Sequence, residues 1–348
     1  MRILHVLSQY EVTGAETYAV ALADQQITNG HSAIIVSDTL STQTSAEYIK
    51  FGIGQRKPWQ RIRNIAFLRK LIHDRQIDVV HAHSRAASWV CYFACLNTNT
   101  AMVSTVHGRQ HLHRSSRGFD IYGDQVVAVC PDLKVHLQSE LFLDKHKLHF
   151  IPNGFHFSSP EPEFKHALLP QQEEIRVCIV GRASGPKGDR TTELISKIFL
   201  ELLAEFPQLK IYIVGSTYDS FNDINKVKLD YALQKFPGRI LFSGFVSGLN
   251  QFLAKAHLSI GAGLVAIQTI ANGRPFFAAG ERSVIGFIKE STVQQGIQSN
   301  FGDCSPMEEI PGWAEDSIKN EMREFLKNPS AFAETLGLET LAKKVREL

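Results

Sequence analysis

The feature that most constrains this chain is an alternation that runs along it twice: short continuous apolar runs separated by stretches of helical periodicity. A strand with apolar residues at consecutive positions is buried on both faces, as in a parallel sheet covered by crossover helices. In the first half the runs fall at 2–7, 33–36, 79–81, 102–106, 126–129 and 148–151. Helical patterns lie between them, from Glu16 to about 29, over 58–74, over 84–95 and from 131 to about 142. Pro152-Asn153-Gly154 is a strong turn, and Ser158-Ser159-Pro160-Glu161-Pro162-Glu163 supports neither a helix nor a central strand, so the linker belongs here. The pattern then restarts with strands at 175–180, 210–214, 240–242, 258–260 and 275–278, and with helices at 190–205, 223–235, from Leu249 and over 264–272. The prediction is α/β: two doubly wound, Rossmann-like domains over 1–156 and 172–330, then a C-terminal helix in 331–348 expected to pack back toward the first domain. Ligands of open parallel sheets bind outside the carboxyl ends of the strands, so two such domains are expected to form one interdomain cleft.

Composition removes other classes. With 348 residues, 44% of them hydrophobic, the chain can bury a large core and exceeds the size at which single cores usually split. No fixed-period repeat or low-complexity tract points to a solenoid, fibrous or disordered chain. The opening apolar run is short and no stretch reaches ~18 uninterrupted apolar residues, so neither a secretion signal nor a spanning helix is expected, and the expected location is cytoplasmic. Five scattered cysteines suit a reducing compartment, and Cys91 and Cys95, inside one apolar run, read as small buried hydrophobes. The net charge of +2 hides an asymmetry. Residues 50–117 carry twelve Lys and Arg against Asp74 and Asp78, so this part faces something anionic or is solvated.

Four turns at the carboxyl ends of predicted strands carry unusual residues. Thr13-Gly14-Ala15-Glu16 opens the first helix, where free N–H groups attract an anion; it is either a phosphate or acceptor contact or a plain tight turn. Gly181-Arg182-Ala183-Ser184-Gly185-Pro186-Lys187-Gly188 puts two cations five residues apart in a glycine-rich turn that can converge on a diphosphate, the alternative being solvated cations. Ile260-Gly261-Ala262-Gly263-Leu264-Val265-Ala266-Ile267-Gln268 joins a strand end and a glycine pair to an apolar helix whose one polar residue, Gln268, either faces the ligand or is incidental. The fourth turn is Val106-His107-Gly108, with His81 and His83 ending the neighbouring strand. An imidazole there can donate to a hydroxyl or stabilise developing charge, or make a structural hydrogen bond. His81-Ala82-His83 points both rings to one face but brings no carboxylate or third ligand, so no metal is expected.

Taken together these residues resemble the retaining nucleotide-sugar glycosyltransferases of family 4, which have the two-domain GT-B fold. The resemblance runs from Met1-Arg2-Ile3-Leu4-His5-Val6 with Gly14 and Glu16, through Asp78-Val79-Val80-His81-Ala82-His83, Thr105-Val106-His107-Gly108 and Ile151-Pro152-Asn153-Gly154. It continues with Val180-Gly181-Arg182, Lys187-Gly188, Phe242-Ser243-Gly244-Phe245-Val246 and Ala271-Asn272-Gly273-Arg274-Pro275. The resemblance implies an acceptor-binding first domain and a donor-binding second domain. By position, Arg182 and Lys187 are implied to hold the donor diphosphate, Gly244, Phe245 and Val246 the base, His107 the surroundings of the donor sugar, and Gly14 a turn near the phosphates. The amides of Gly261, Ala262, Gly263, Leu264 and Val265 are implied to meet sugar and diphosphate. The chain departs from the family where its usual pair of glutamates stands, at Ile260 and Gln268. Gln268 can still accept one hydrogen bond and donate another, toward the ribose, whereas Ile260 cannot replace a contact to the sugar.

The expected function is transfer of a sugar, with retention, from a nucleoside diphosphate sugar to a glycan or lipid-linked acceptor in lipopolysaccharide, capsule or other envelope polysaccharide synthesis. His107, Arg182 and Lys187 are the expected catalytic residues; neither metal nor cofactor is implied, and no nucleic-acid partner. A nucleotide-sugar-binding protein that has lost catalysis, and a sugar-nucleotide epimerase on the same fold, are the alternatives. Residues 55–71 combine cations with Trp59 and Phe67, and 108–117 add further cations. Both segments could meet an anionic membrane surface, placing the protein on the inner face of the cytoplasmic membrane, or 55–71 is a crossover helix with a solvated face.

Overall fold

The computed structural model describes residues 1–8, 13–55, 57–112, 118–154, 174–246, 248–306 and 315–348. The chain divides into two units, Met1–His156 and Phe157–Leu348.

The first unit contains β1 (Arg2–Val6), α1 (Gly14–Thr28), β2 (Ser32–Ser37), β3 (Glu47–Lys50), α2 (Pro58–Asp74), β4 (Val79–Ala82), α3 (Arg85–Cys95), β5 (Ala101–Val106), β6 (Gln125–Ala128), α4 (Pro131–Ser139) and β7 (Leu148–Phe150). Its strands form one sheet in the order β3-β2-β1-β4-β5-β6-β7, parallel throughout. The consecutive apolar residues of each strand feed both faces. Leu4, Val6, Ile34 and Val36 cluster with Leu68 and Leu71 of α2 and Val90 of α3, while Leu7, Ala33 and Ile35 cluster with Ala19, Val20 and Ala23 of α1. Helix starts are locally encoded: Pro58 occupies the first turn of α2, and the Ser84 hydroxyl caps α3 by accepting from the Ala87 amide at 3.2 Å.

The second unit contains β8 (Ile175–Val180), α5 (Pro186–Glu193), a π-helical segment (Leu194–Phe199), α6 (Leu200–Glu205), β9 (Leu209–Val214), α7 (Asp223–Lys235), β10 (Ile240–Gly244), α8 (Leu249–Leu253), β11 (Leu258–Gly261), α9 (Leu264–Ala271), β12 (Phe276–Ala279), β13 (Val284–Phe287), α10 (Val293–Ser299), α11 (Glu315–Lys327), α12 (Pro329–Glu334) and α13 (Leu338–Arg346). The sheet order is β10-β9-β8-β11-β12-β13, parallel except that β13 runs antiparallel to β12. The strand order reverses at β1/β4 in one sheet and at β8/β11 in the other, and such switch points open a crevice at the carboxyl ends.

β3 has no apolar run to announce it, because an edge strand with Glu47 and Lys50 exposed needs none. The helix expected over 190–205 begins at Pro186 and passes through the π-helical segment. The tail is two helices, and α13 packs on α9 of its own unit, where the Arg346 guanidinium donates to the Ala271 carbonyl at 2.7 and 3.1 Å. The linker expected between 156 and 172 lies outside the described residues. All five cysteines are free. Among the described residues no helix is long and apolar enough to cross a membrane.

Candidate functional site

In the first unit, parallel register sets His5 of β1 beside His81 of β4, and the carboxyl ends of β4 and β5 deliver His83 and His107 next to them. The four rings form a stack: centroids are 5.4 Å apart for His5–His81, 4.2 Å for His81–His83, 5.2 Å for His5–His83 and 6.0 Å for His83–His107. His5 Nδ1 and His83 Nε2 share a hydrogen bond of 3.0 Å, His5 Nε2 pairs with Gln26 Oε1 at 2.8 Å, and His81 Nε2 pairs with Thr105 Oγ1 at 2.7 Å. Burial pushes His5 and His107 down to about 4 and, with help from the neighbouring rings, holds His81 and His83 well below the usual imidazole range. The stack is therefore neutral at pH 7. His83 Nδ1 and His107 Nε2 are buried with no hydrogen-bond partner among the described residues, so His107 ends β5 with an unused imidazole nitrogen. Tyr18 of α1 meets His107 edge-on at 5.1 Å, a contact that nothing in its local sequence announces.

His81 and His83 do have a third imidazole nearby, contrary to the expectation from sequence. His5 comes from a strand 76 residues earlier, and the ligand atoms of His5, His81 and His83 lie within 4.8 Å of one another, so these are residues that could hold a metal ion. Gly14 opens α1 and is exposed, while Glu16 is buried and its carboxylate accepts from the Ser41 and Thr42 amides at 2.9 and 2.8 Å. Glu16 thus anchors the loop after β2.

In the second unit, β8 ends at the turn carrying Arg182 and Lys187. Gly188 is required there by contact: a Cβ would stand 1.7 Å from the Ala183 carbonyl oxygen. Both cations meet carboxylates from distant loops. Lys187 Nζ donates to Asp303 Oδ2 at 2.8 Å, Arg182 donates to Glu281 Oε1 at 3.0 Å, and the Glu281 amide donates to Asp303 Oδ1 at 3.1 Å. Burial opposes the Lys187 charge, but Asp303 and Glu281 more than offset it and raise its pKa. Neither Glu281 nor Asp303 belongs to a turn that the sequence singled out, and a 116-residue separation between Lys187 and Asp303 leaves no local signal.

The turn after β11 lies beside these groups. Gly181, Lys187, Ile260, Gly261 and Ala262 line one narrow cavity. Gly263 has φ +64°, a left-handed conformation that favours glycine, and immediately opens α9, with Leu264 and Val265 in the first turn. A Cβ on Gly263 would lie 3.4 Å from Asp303 Oδ2. Ile260 is fully buried in the main core of this unit, and Gln268 is buried on α9. Gly244 ends β10, where its carbonyl accepts from the Gly215 amide at 2.8 Å. The Ser216 hydroxyl in turn reaches the Gly181 carbonyl at 2.8 Å, so the β8 and β10 turns are connected. Phe245 is half exposed and Val246 packs beside Val180 and Val214.

The basic segments are only partly free. Along α2, Asn64, Leu68, Leu71 and Ile72 are buried, as a crossover helix requires. Arg61 donates to the Ala86 carbonyl at 3.0 Å and lies over the Trp89 ring, Arg69 donates to the Ala94 carbonyl at 3.3 Å, and Lys70 pairs with Asp74. Trp59 and Ile62 remain exposed. Arg109 pairs with Glu140, and residues 113–117 and Arg56 lie outside the described residues.

The protein similar to HepE of Anabaena, solved in complex with UDP-glucose, shares 18% identity with it at a TM-score of 0.66, covering 100% of this chain and 98% of that one. Sucrose-phosphate synthase of Thermosynechococcus elongatus gives 16% identity and 0.69 over 100% and 95%. WaaG, a glycosyltransferase involved in lipopolysaccharide biosynthesis, gives 12% and 0.66 over 100% and 99%. No curated protein sequence matches the chain. These likenesses show a chain with the two-domain GT-B fold. Within it, residues 12–158 match the model of Glycosyltransferase Family 4.

Proposed function

We propose that the protein transfers a sugar, with retention, from a nucleoside diphosphate sugar to a glycan or lipid-linked acceptor in envelope polysaccharide synthesis. The observation that carries this reading is the turn after β8. Its Lys187 lies beside the amide-rich start of α9, and its Arg182 joins the same hydrogen-bonded group. Cations and a helix N-terminus are the groups that hold a diphosphate. The likeness to a structure holding UDP-glucose supports a uridine nucleotide as the first donor to test.

In this reading Arg182 and Lys187 stabilise the departing diphosphate, and electrostatics toward the developing charge supply most of the rate. Phe245, half exposed, offers a face to the base, and Gln268 a hydrogen bond to ribose. His107, neutral and with Nε2 unused, can accept from or donate to a hydroxyl of the sugar; the family resemblance assigns it there. The scheme requires no metal. The first unit takes the acceptor, and exposed Trp59 and Ile62 beside Lys57 support contact with an anionic membrane surface that presents a lipid-linked one.

The test is a set of transfer and donor-hydrolysis assays with UDP-, GDP- and ADP-sugars, with anomeric configuration read by NMR and EDTA present or absent. Turnover of one donor with retention, unchanged by EDTA and reduced more in kcat than in nucleotide affinity by His107→Ala, is expected. Tight nucleotide-sugar binding without turnover on any acceptor would replace the reading with a binding protein, which the burial of Ile260 in the core favours. Interconversion of the free donor would replace it with an epimerase.

A further inference from the structure

The turn that we read as the diphosphate site holds two carboxylates that diphosphate binding does not call for. Asp303, on the loop after α10, is the better held of the two. Its side chain is 10% exposed, its Oδ2 accepts from Lys187, and its Oδ1 accepts from the Glu281 amide. Its loop is fastened on both sides. The Gly263 amide donates to the Asn300 carbonyl at 3.1 Å, and the Ser283 amide donates to the Gly302 carbonyl at 3.0 Å. One residue thus meets the lysine and the backbone of Glu281, whose side chain pairs with Arg182, and stands where a Cβ on Gly263, at the start of α9, would come within 3.4 Å of it.

We propose that Asp303 is a positioning residue of the donor site: it orients Lys187 for a nucleoside diphosphate. The inference rests on the donor-site reading above. A lysine ammonium has three donors on a flexible four-carbon stem, and freezing that stem opposes binding. Asp303 takes one donor and fixes the stem, leaving two N–H groups for phosphate oxygens. The competing idea, an internal carboxylate that occupies the phosphate position and must leave, requires the Asp303 side chain to rotate away from both Lys187 and the Glu281 amide.

Calorimetric titration with whichever of UDP, GDP or ADP the wild type binds most tightly decides the matter. Asp303→Ala is expected to weaken that nucleotide at least five-fold, and Asp303→Glu to recover part of the loss. In a Lys187→Ala background, Asp303→Ala is expected to change affinity less than two-fold, because its effect passes through the lysine. Tighter binding on Asp303→Ala or Asp303→Asn would show a competing internal anion and overturn the proposal, as would unchanged affinity or losses that simply add. Asp303→Asn, which keeps the shape and the bond from the Glu281 amide, decides the sign if the alanine variant does not fold. If Lys187→Ala leaves nucleotide affinity untouched, the donor-site reading itself fails. If only the Asp303 arms fail, that reading stands without this residue.

Discussion

His5 and His83, 78 residues apart in the chain, share a 3.0 Å hydrogen bond between imidazole nitrogens inside the first unit. Two buried rings that exchange one proton this way are stable as a neutral pair and resist gaining a second charge. Burial lowers His5 from its usual 6.5 to about 4 in the folded chain. Between these values the unfolded chain binds the proton and the folded one does not. Stability is therefore fully present above pH 6.5 and falls as pH drops toward 4. For His5 alone the loss at pH 5 is about 2 kcal/mol. Urea unfolding at pH 7.5 and pH 5.0 measures it, and equal free energies at the two values would contradict the neutral stack.

Lys187→Ala should weaken nucleoside diphosphate binding by an order of magnitude or more, since a charge-assisted contact contributes roughly 1.5–3 kcal/mol. Arg182→Ala should act in the same direction and less strongly, because Arg182 is the more exposed of the two at 42% against 29%. Calorimetry with UDP ranks them; the reverse order would move the principal phosphate contact to Arg182.

Gly188→Ala tests the geometry of the same turn without touching a charge. The added methyl would meet the Ala183 carbonyl at 1.7 Å, so the turn must shift and carry Lys187 with it. We expect on the order of 1–3 kcal/mol lower stability together with weakened nucleotide binding. A variant that melts at the wild-type temperature and binds UDP normally would show that the turn tolerates the shift.

Ile260→Glu puts back the residue type usual in the resembling family, and it should destabilise the second unit. The position is fully buried in the cluster of Ile179, Leu258 and Phe277, at the wall of the narrow cavity that Lys187 also lines. A carboxyl group there must stay neutral or disrupt the core, at a cost on the order of several kcal/mol. Thermal unfolding with a midpoint near that of wild type would mean that the carboxylate is accommodated in the cavity beside Lys187.

Membrane contact should depend on the exposed groups of the α2 region rather than on every cation in it. Arg61 and Arg69 are engaged with carbonyls of α3, so reversing them would perturb packing as well as charge. Lys57→Glu with Lys70→Glu and Trp59→Ser is the cleaner variant, since all three side chains are exposed. Flotation with vesicles containing anionic lipid at low salt should show wild-type binding that this variant loses, each cation contributing up to about 1 kcal/mol. No wild-type flotation would leave the face merely solvated.

What the sequence determined by itself was local. Runs such as Val177-Cys178-Ile179-Val180 must be buried on both sides, Pro58 and Ser84 start helices, and Pro152-Asn153-Gly154 turns the chain, so strands, helices and the candidate turns at their ends were legible. The resemblance to glycosyltransferases was legible for the same reason, since it rests on those turns. β3 was not, because a short edge strand needs no apolar run, and the apolar stretch Val284-Ile285-Gly286-Phe287 becomes a strand only through its antiparallel pairing with β12. Tertiary structure alone decided which turns meet. The order β1-β4-β5 gathers His5, His81, His83 and His107, and the order β8-β11 sets Lys187 against the start of α9. It also decided that Ile260 belongs to the core and that Asp303 faces Lys187. Strand order and register depend on how whole faces pack together, and a residue's partner across 116 positions is a property of that packing rather than of its own neighbourhood.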